Sequence, residues 1–346
     1  MASRWATHAV ALPMAALLAV LPCSPTATSE AAKASFITPA SEAAVQKALN
    51  WLAKNQRPDG SWHTRNYYNN GAVTALACLA FLASGNTPGR GKYGRTITRA
   101  LGYLLSLARA DGLIASQQSG NGTMYEHGFA THCLAELYGM TGRRDLRPKL
   151  ERAVRLIQAA QNPEGGWRYQ PVPRDADMSV TVCEMVALRA ARNAAIPVPK
   201  ASIEKAVAYM KSCTSPEGGF AYQGHGPATP ACTGGGALAM MLAGRSSDPA
   251  VRSALEYLRR QIAARGFAPG SAGGHFFYAM YYCTQAMYQA GGAYWRAWFP
   301  PLRDRLVSAQ RPDGSWEDLN VGVDYGTAMG ALILEVPKGY LPIFQR

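Results

Sequence analysis

Three short stretches constrain this chain more than any other feature. Gln56-Arg-Pro-Asp-Gly60-Ser-Trp62, Gln161-Asn-Pro-Glu-Gly165-Gly-Trp167 and Gln310-Arg-Pro-Asp-Gly314-Ser-Trp316 share one spacing: Gln, three residues, Gly, one residue, Trp. A fourth copy, Thr214-Ser-Pro-Glu-Gly218-Gly-Phe220, keeps the shape with Phe as its aromatic, Asp111-Gly112 is a weaker fifth, and Arg265-Gly266-Phe267 marks the place of a sixth. Self-similarity at a regular interval is the signature of a repeat architecture. Pro and Gly cannot continue a helix interior, so each copy reads as a helix stop and turn whose aromatic folds back as an apolar plug.

Between the turns the chain reads as pairs of helices. Ahead of each turn lies an amphipathic segment: Ser41 to Gln56, Tyr93 to Arg109, Leu146 to Gln161, Ala201 to Thr214, Pro249 to Ala264 and Trp295 to Gln310. Behind each turn lies one almost free of charge: Gly71 to Ser84, Tyr125 to Tyr138, Asp177 to Ala195, Thr229 to Ala243, His275 to Ala290 and Asp324 to Val336. Charge-striped helices face water on one side, and helices apolar all round are buried. Thr74, Thr131, Thr181, Thr233, Thr284 and Thr327 hold one register in the second set. Thr is a mediocre helix former, so its recurrence predicts a shared helix-helix packing contact.

An open solenoid would want polar capping repeats at its ends. The last inner segment is as apolar as the others, so the ring is expected to close. The fold class is therefore all-α: an α/α toroid of six helical hairpins, an α6/α6 barrel over residues 41–340, with inner helices around a cavity.

The first 30 residues have the layout of a secretory signal, with Arg4 and His8, the apolar run Ala9 to Leu21, and a small polar stretch after it. That run is too short to span a bilayer. Export to the periplasm or envelope is expected, with residues 31–40 as a linker. Lipid anchoring at Cys23 is the less favoured reading, because Leu21-Pro22 precede it where such signals want small residues. Cys78, Cys133, Cys183, Cys213, Cys232 and Cys283 are expected to be mostly free thiols, since registered positions on neighbouring helices point in equivalent directions. The chain is 346 residues, formally +13, 48% hydrophobic and 16% charged, which excludes a disordered chain. The basic run from Arg143 to Arg155 lacks any nucleic-acid-binding motif, so no nucleic-acid partner is expected.

These turns resemble those of squalene-hopene cyclases and related class II terpene cyclases, whose toroid is shared by protein prenyltransferase beta subunits. Closer still are exported bacterial single-toroid proteins with prenyltransferase and squalene oxidase repeats, similar over Met124-Tyr-Glu-His127-Gly and Gly165-Gly-Trp-Arg-Tyr169. The resemblance covers about residues 40 to 340 and implies the toroid. It also implies an acid: class II cyclases protonate an alkene with the middle Asp of an Asp-x-Asp-Asp box, and Asp175-Ala-Asp177-Met178 supplies two of the three acids, with Met178 replacing the third. The prenyltransferase zinc set is broken, since Ser179 stands where its Cys should be, and no magnesium-binding aspartate motif is present. No cofactor and no metal are expected.

Counting four back from each reference Thr gives Asn70, His127, Asp177, Thr229, Met280 and Val323, of which the first four are polar residues at the starts of consecutive inner helices. Asn, Asp and Thr there also read as N-caps. With Glu126 and Asp175 nearby, the candidate catalytic set is Asp177 as acid, with Asp175 and His127 tuning or relaying its proton. Candidate ligand contacts are Asn70, Glu126, Tyr169, Phe277, Tyr281, Tyr282 and Tyr325, an aromatic wall suited to an isoprenoid chain and to a cation. Ordinary core packing accounts for the aromatics as well. The leading functional expectation is an exported, terpene cyclase-like toroid that binds an apolar isoprenoid-like ligand and, if catalytic, cyclises or isomerises it with acid. The alternatives are a non-catalytic envelope binding or scaffold protein and, less favoured, a carbohydrate-active α/α-barrel enzyme.

Overall fold

The architecture follows from how each turn is tied down. In three repeats the Gln side chain donates from Nε2 to two carbonyls: Gln56 to Gly60 and Thr96, Gln161 to Gly165 and Ser202, and Gln310 to Gly314 and Ala44, all at 2.8–3.0 Å. One carbonyl lies within the turn and the other on the next outer helix. The turn Gly closes against the same neighbour. Gly60 has φ +92°, and a Cβ there would stand 2.3 Å from the Arg99 carbonyl oxygen. Gly112 repeats this against Arg152, with φ +97°, which makes the weak fifth copy a true member of the series.

The structure is a computed structural model, which describes residues 36–63, 65, 70–117, 122–267 and 275–345. The expected signal segment, Cys23 and the first half of the linker lie outside the described residues. Six outer helices, α1 (Pro39–Asn55), α3 (Gly94–Ser106), α5 (Arg147–Ala160), α7 (Lys200–Ser212), α9 (Pro249–Arg265) and α11 (Gly292–Ala309), alternate with six inner ones. The inner helices are α2 (Gly71–Ala83), α4 (Thr123–Thr141), α6 (Met178–Asn193), α8 (Pro230–Leu242), α10 (Phe276–Ala290) and α12 (Val323–Glu335). Each inner helix packs on the next, and α12 packs on both α2 and α1, so the ring is closed. The chain is an α/α toroid, as the repeat predicts. Among the described residues there are isolated bridges and no strands.

The recurring Thr has a different task from the one expected. Rather than packing helix on helix, its hydroxyl accepts the main-chain N–H of the turn aromatic: Thr74 from Trp62, Thr181 from Trp167, Thr233 from Phe220 and Thr327 from Trp316, at 3.0–3.1 Å. The plug cannot form regular hydrogen bonds where the chain reverses, and a buried orphan N–H is costly. The indole N–H is met too, since Trp62, Trp167 and Trp316 donate to Leu52, Ile157 and Leu306 carbonyls one outer helix back.

The turn at Gly266, fifth along the chain, departs from the pattern. A Cβ on Gly266 would meet no atom within 4 Å. Here Trp298 of α11 supplies the aromatic, donating its indole N–H to Thr284 at 3.1 Å and packing edge-on against Phe267. All six cysteines of the described chain are buried and free. Past α12 the chain stays packed, with Leu341, Ile343 and Phe344 buried and a short 3-10 turn (Pro342–Phe344) lying against α4 and α6.

Candidate functional site

Every repeat turn leads from an outer helix into the N-terminus of an inner one, so those N-termini gather at one mouth of the ring. A cavity of about 690 Å³ opens there, between the starts of α4, α6, α8 and α10. Its walls carry Tyr125, Tyr169, Tyr222, Tyr257 and Tyr278, with Ser179 at the base and Glu217 at the rim. Tyr169, Tyr125 and Tyr278 stand as consecutive rings, with centroids 6.2 and 6.3 Å apart.

Asp177 lies directly behind this wall. It caps α6, Oδ1 accepting from the Val180 N–H at 2.9 Å, while its own N–H donates to the Trp167 carbonyl. Its Oδ2 is buried and has no close hydrogen-bond partner among the described residues; the nearest guanidinium nitrogen, Arg168 Nε, stands 3.9 Å away. Burial pushes the carboxyl above its ordinary range, while the Val180 amide, the Tyr222 hydroxyl and the Arg168 charge pull it back. Capping and acidity therefore coexist in Asp177, each using one oxygen. Tyr222 and Ser179, which line the cavity, are the groups that connect it to that space.

Asp175 is largely exposed and pairs with Arg168 at 2.9 Å. The Arg168 guanidinium thus spans the two acids and stacks over the Tyr169 ring at 5.2 Å. Asp175 faces a separate polar surface pocket with Glu164 and His225.

His127 is not the partner that the register suggests. It is wholly buried, with Nδ1 accepting from the Ile114 N–H and Nε2 against the Ala153 carbonyl, each at 3.1 Å. An N–H donor on one side and a carbonyl on the other fix the proton on Nε2. Burial lowers its pKa to about 4. Both ring nitrogens are used, which removes His127 from an acid/base relay. The reason lies in the second turn, whose plug is Ile114: the bond that Thr accepts elsewhere passes to His127, and the Thr131 hydroxyl is left without a partner among the described residues.

Asn70 and Glu126 are joined, but to each other and to backbone. The Glu126 carboxylate accepts from the Gly71 N–H, the Asn70 amide, and the N–H and hydroxyl of Ser116 at 2.9–3.3 Å, and Asn70 caps α2 through the Val73 N–H. Neither lines the mouth cavity; they clasp the first repeat to the second. Phe277 opens on a different groove, of about 440 Å³, with Trp316 and Leu319. Tyr281, Tyr282 and Tyr325 are buried within the ring, where Tyr282 stacks edge-on between Tyr278 and Tyr281 at 4.9 Å from each. Of the expected contacts, Tyr169 alone lines the mouth cavity. The wall residues that the sequence left unassigned had a signal for one of them: Tyr222 follows the Phe220 plug at the spacing by which Tyr169 follows Trp167. Among the described residues no group of three His, Cys, Asp or Glu side chains could hold a metal ion.

Residues 127–295 match the family model of the squalene-hopene cyclase C-terminal domain. No curated protein matches the sequence. Among solved structures the type II terpene cyclase MstE from Scytonema is similar, at a TM-score of 0.62 and 16% identity over 88% of this chain and 100% of that one. A variant of it was solved with its substrate, geranylgeranyl dihydroxybenzoate, and is similar at a TM-score of 0.61 and 15% identity, covering 88% and 98%. The α-1,6-mannanase GH76A from Salegentibacter sp. HEL1_6 has a TM-score of 0.64 at 10% identity, covering 87% and 99%. At such identities the likeness is one of fold. Repeat and closed ring agree with these structures: the chain is an α/α toroid, similar over residues 127–295 to the squalene-hopene cyclase C-terminal domain.

Proposed function

We propose that this protein is exported, that it binds an apolar, isoprenoid-like chain in the tyrosine-walled mouth cavity, and that Asp177 donates a proton to an alkene of that chain. The observation that carries the reading is the buried Oδ2 of Asp177, unbonded among the described residues and held behind Tyr222 and Ser179. A carboxyl whose burial favours the neutral form keeps a proton to give. Proton transfer to the alkene leaves the Asp177 carboxylate and a carbocation, which the tyrosine faces stabilise; loss of a proton from a neighbouring carbon completes an isomerisation or cyclisation with no other reactant. The Arg168 guanidinium offsets the carboxylate charge, and Asp175 holds Arg168 in place from the solvent side. Export rests on the signal-like layout of residues 1–30. Incubation with squalene and shorter polyprenyl alkenes in deuterated water tests this reading. Isomers carrying deuterium are expected from the native chain and not from Asp177→Asn; equal turnover by both would remove Asp177 as the acid.

The second reading, an envelope binding protein without turnover, is supported by the interior. Tyr281, Tyr282 and Tyr325 occupy the centre of the ring, leaving the cavity at the mouth. Bound but unchanged alkene would favour it. The carbohydrate reading gains less, because Asp175 is exposed and ion-paired while Asp177 is buried, and glycoside hydrolysis wants two acids facing one open cleft.

A further inference from the structure

The chemistry of the mouth cavity specifies the charge of what it accepts, a step that rests on the reading of this cavity as the ligand site. We propose that the cavity recognises a cationic group, an amine or quaternary ammonium carried on an apolar chain, in preference to phosphorylated chains.

Five aromatic rings form the wall, and their hydroxyls are already engaged. Tyr278 donates to the Ser179 carbonyl at 3.0 Å, Tyr257 to the Ala228 carbonyl at 2.9 Å, and the hydroxyls of Tyr169 and Tyr222 bond each other at 2.5 Å. The Tyr125 hydroxyl lies near the Ser179 side chain. What the tyrosines offer a ligand is therefore the negative face of the ring rather than an O–H donor. Burial keeps Tyr125, Tyr222 and Tyr278 as neutral phenols, which adds no positive charge.

The charged group on the rim is Glu217, which is exposed and makes no ion pair among the described residues. No Lys or Arg lines the cavity among the described residues. Two guanidiniums approach and are held elsewhere, Arg168 by Asp175 and Arg260 by the Glu217 carbonyl at 2.9 Å. Of the helix N-termini around the cavity, α6 is capped by Asp177 and α8 by the Thr229 hydroxyl, while α4 and α10 have no side-chain cap. A phosphate would find the Gln261 amide and the His275 ring on the lining, but no Lys or Arg among the described residues. An ammonium finds π-faces and one carboxylate, the combination that recognises poorly hydrated cations.

The protein as a whole carries a formal +13, so its long-range field favours anions. A preference for cations can then come only from the cavity. Calorimetric titration of the full chain with octyltrimethylammonium, octanol and octyl phosphate at physiological ionic strength separates the two effects. The expected order is ammonium ahead of octanol by about tenfold or more, with octyl phosphate weakest. Glu217→Gln, at an exposed position, is expected to lower ammonium affinity by about threefold or more and leave octanol binding unchanged. Equal binding of all three probes, or octyl phosphate in the lead, would overturn the charge preference while sparing the apolar-ligand reading. Failure of every probe to bind would overturn both.

Discussion

The side-chain amide of Gln310 donates to the main-chain carbonyl of Ala44 at 2.8 Å, across a separation of 266 residues, and so ties the last turn to the first helix. The same bond joins Gln161 to Ser202 inside the ring, whereas the Gln310 bond, like that of Trp51 with Asp313, joins the ends of the fold. Its second bond, to the Gly314 carbonyl at 2.9 Å, holds the turn itself. Gln310→Ala is expected to cost about 1–3 kcal/mol, two net hydrogen bonds of ~1 kcal/mol and an orphaned carbonyl. Urea unfolding monitored by tryptophan fluorescence measures the change.

The Thr register separates two kinds of position that look alike in sequence. Thr181→Val strands the buried N–H of Trp167 and is expected to cost about 1–3 kcal/mol. Thr131→Val removes a hydroxyl that bonds nothing among the described residues and is expected to be close to neutral. Thermal unfolding of the two variants side by side checks the difference.

His127 carries the Thr181-type bond in the second repeat, which sets its expected phenotype. His127→Leu should destabilise the fold by about 2 kcal/mol or more, because the Ile114 N–H and the Ala153 carbonyl both lose a buried partner. Ligand affinity per folded molecule should not change. A native-like melting temperature combined with lost ligand binding would return His127 to the site.

The interior also sets a pH dependence. Burial raises the Glu136 and Glu335 carboxyls to about 8 in the folded chain, from an ordinary value of 4.5. A raised pKa means that the folded state holds a proton which the unfolded chain has released, so this contribution is complete below about pH 4.5 and is lost as pH rises towards 8. Burial moves His127 and His132 the other way, to about 4 and about 3 from 6.5, and their contribution is present above about pH 6.5 and lost as pH falls. Between pH 6.5 and 8 the acids act nearly alone. Stability is expected to fall there with rising pH, by up to about 1.4 kcal/mol per pH unit for each acid. Glu136→Gln should flatten that limb in a series of calorimetric melts.

The sequence carried the ring and less of the site, for physical reasons visible in particular residues. Gln, Gly and Trp recur because each makes a contact that the ring needs, so spacing alone locates the turns that keep them and not the one at Gly266. There Trp298 on α11 does the work of the plug, and nothing at Gly266 announces it. Asp177 was found by register, since its capping role fixes it four residues ahead of Thr181. His127 shares that register and has the opposite fate, because Ile114, thirteen residues away, claims its ring nitrogen. Tyr257 on an outer helix and Tyr125 and Tyr278 on two inner ones meet only once the ring closes.

On the proposed reading, the mouth cavity in front of Asp177 holds an apolar chain. Native mass spectrometry of the full chain, exposed to extracted envelope lipids beside a Tyr278→Trp variant that fills the cavity, tests it most directly. A retained isoprenoid-sized ligand is expected on the native chain and its loss from the variant, with both proteins folded. A bare native chain, or equal retention by the two, would contradict it.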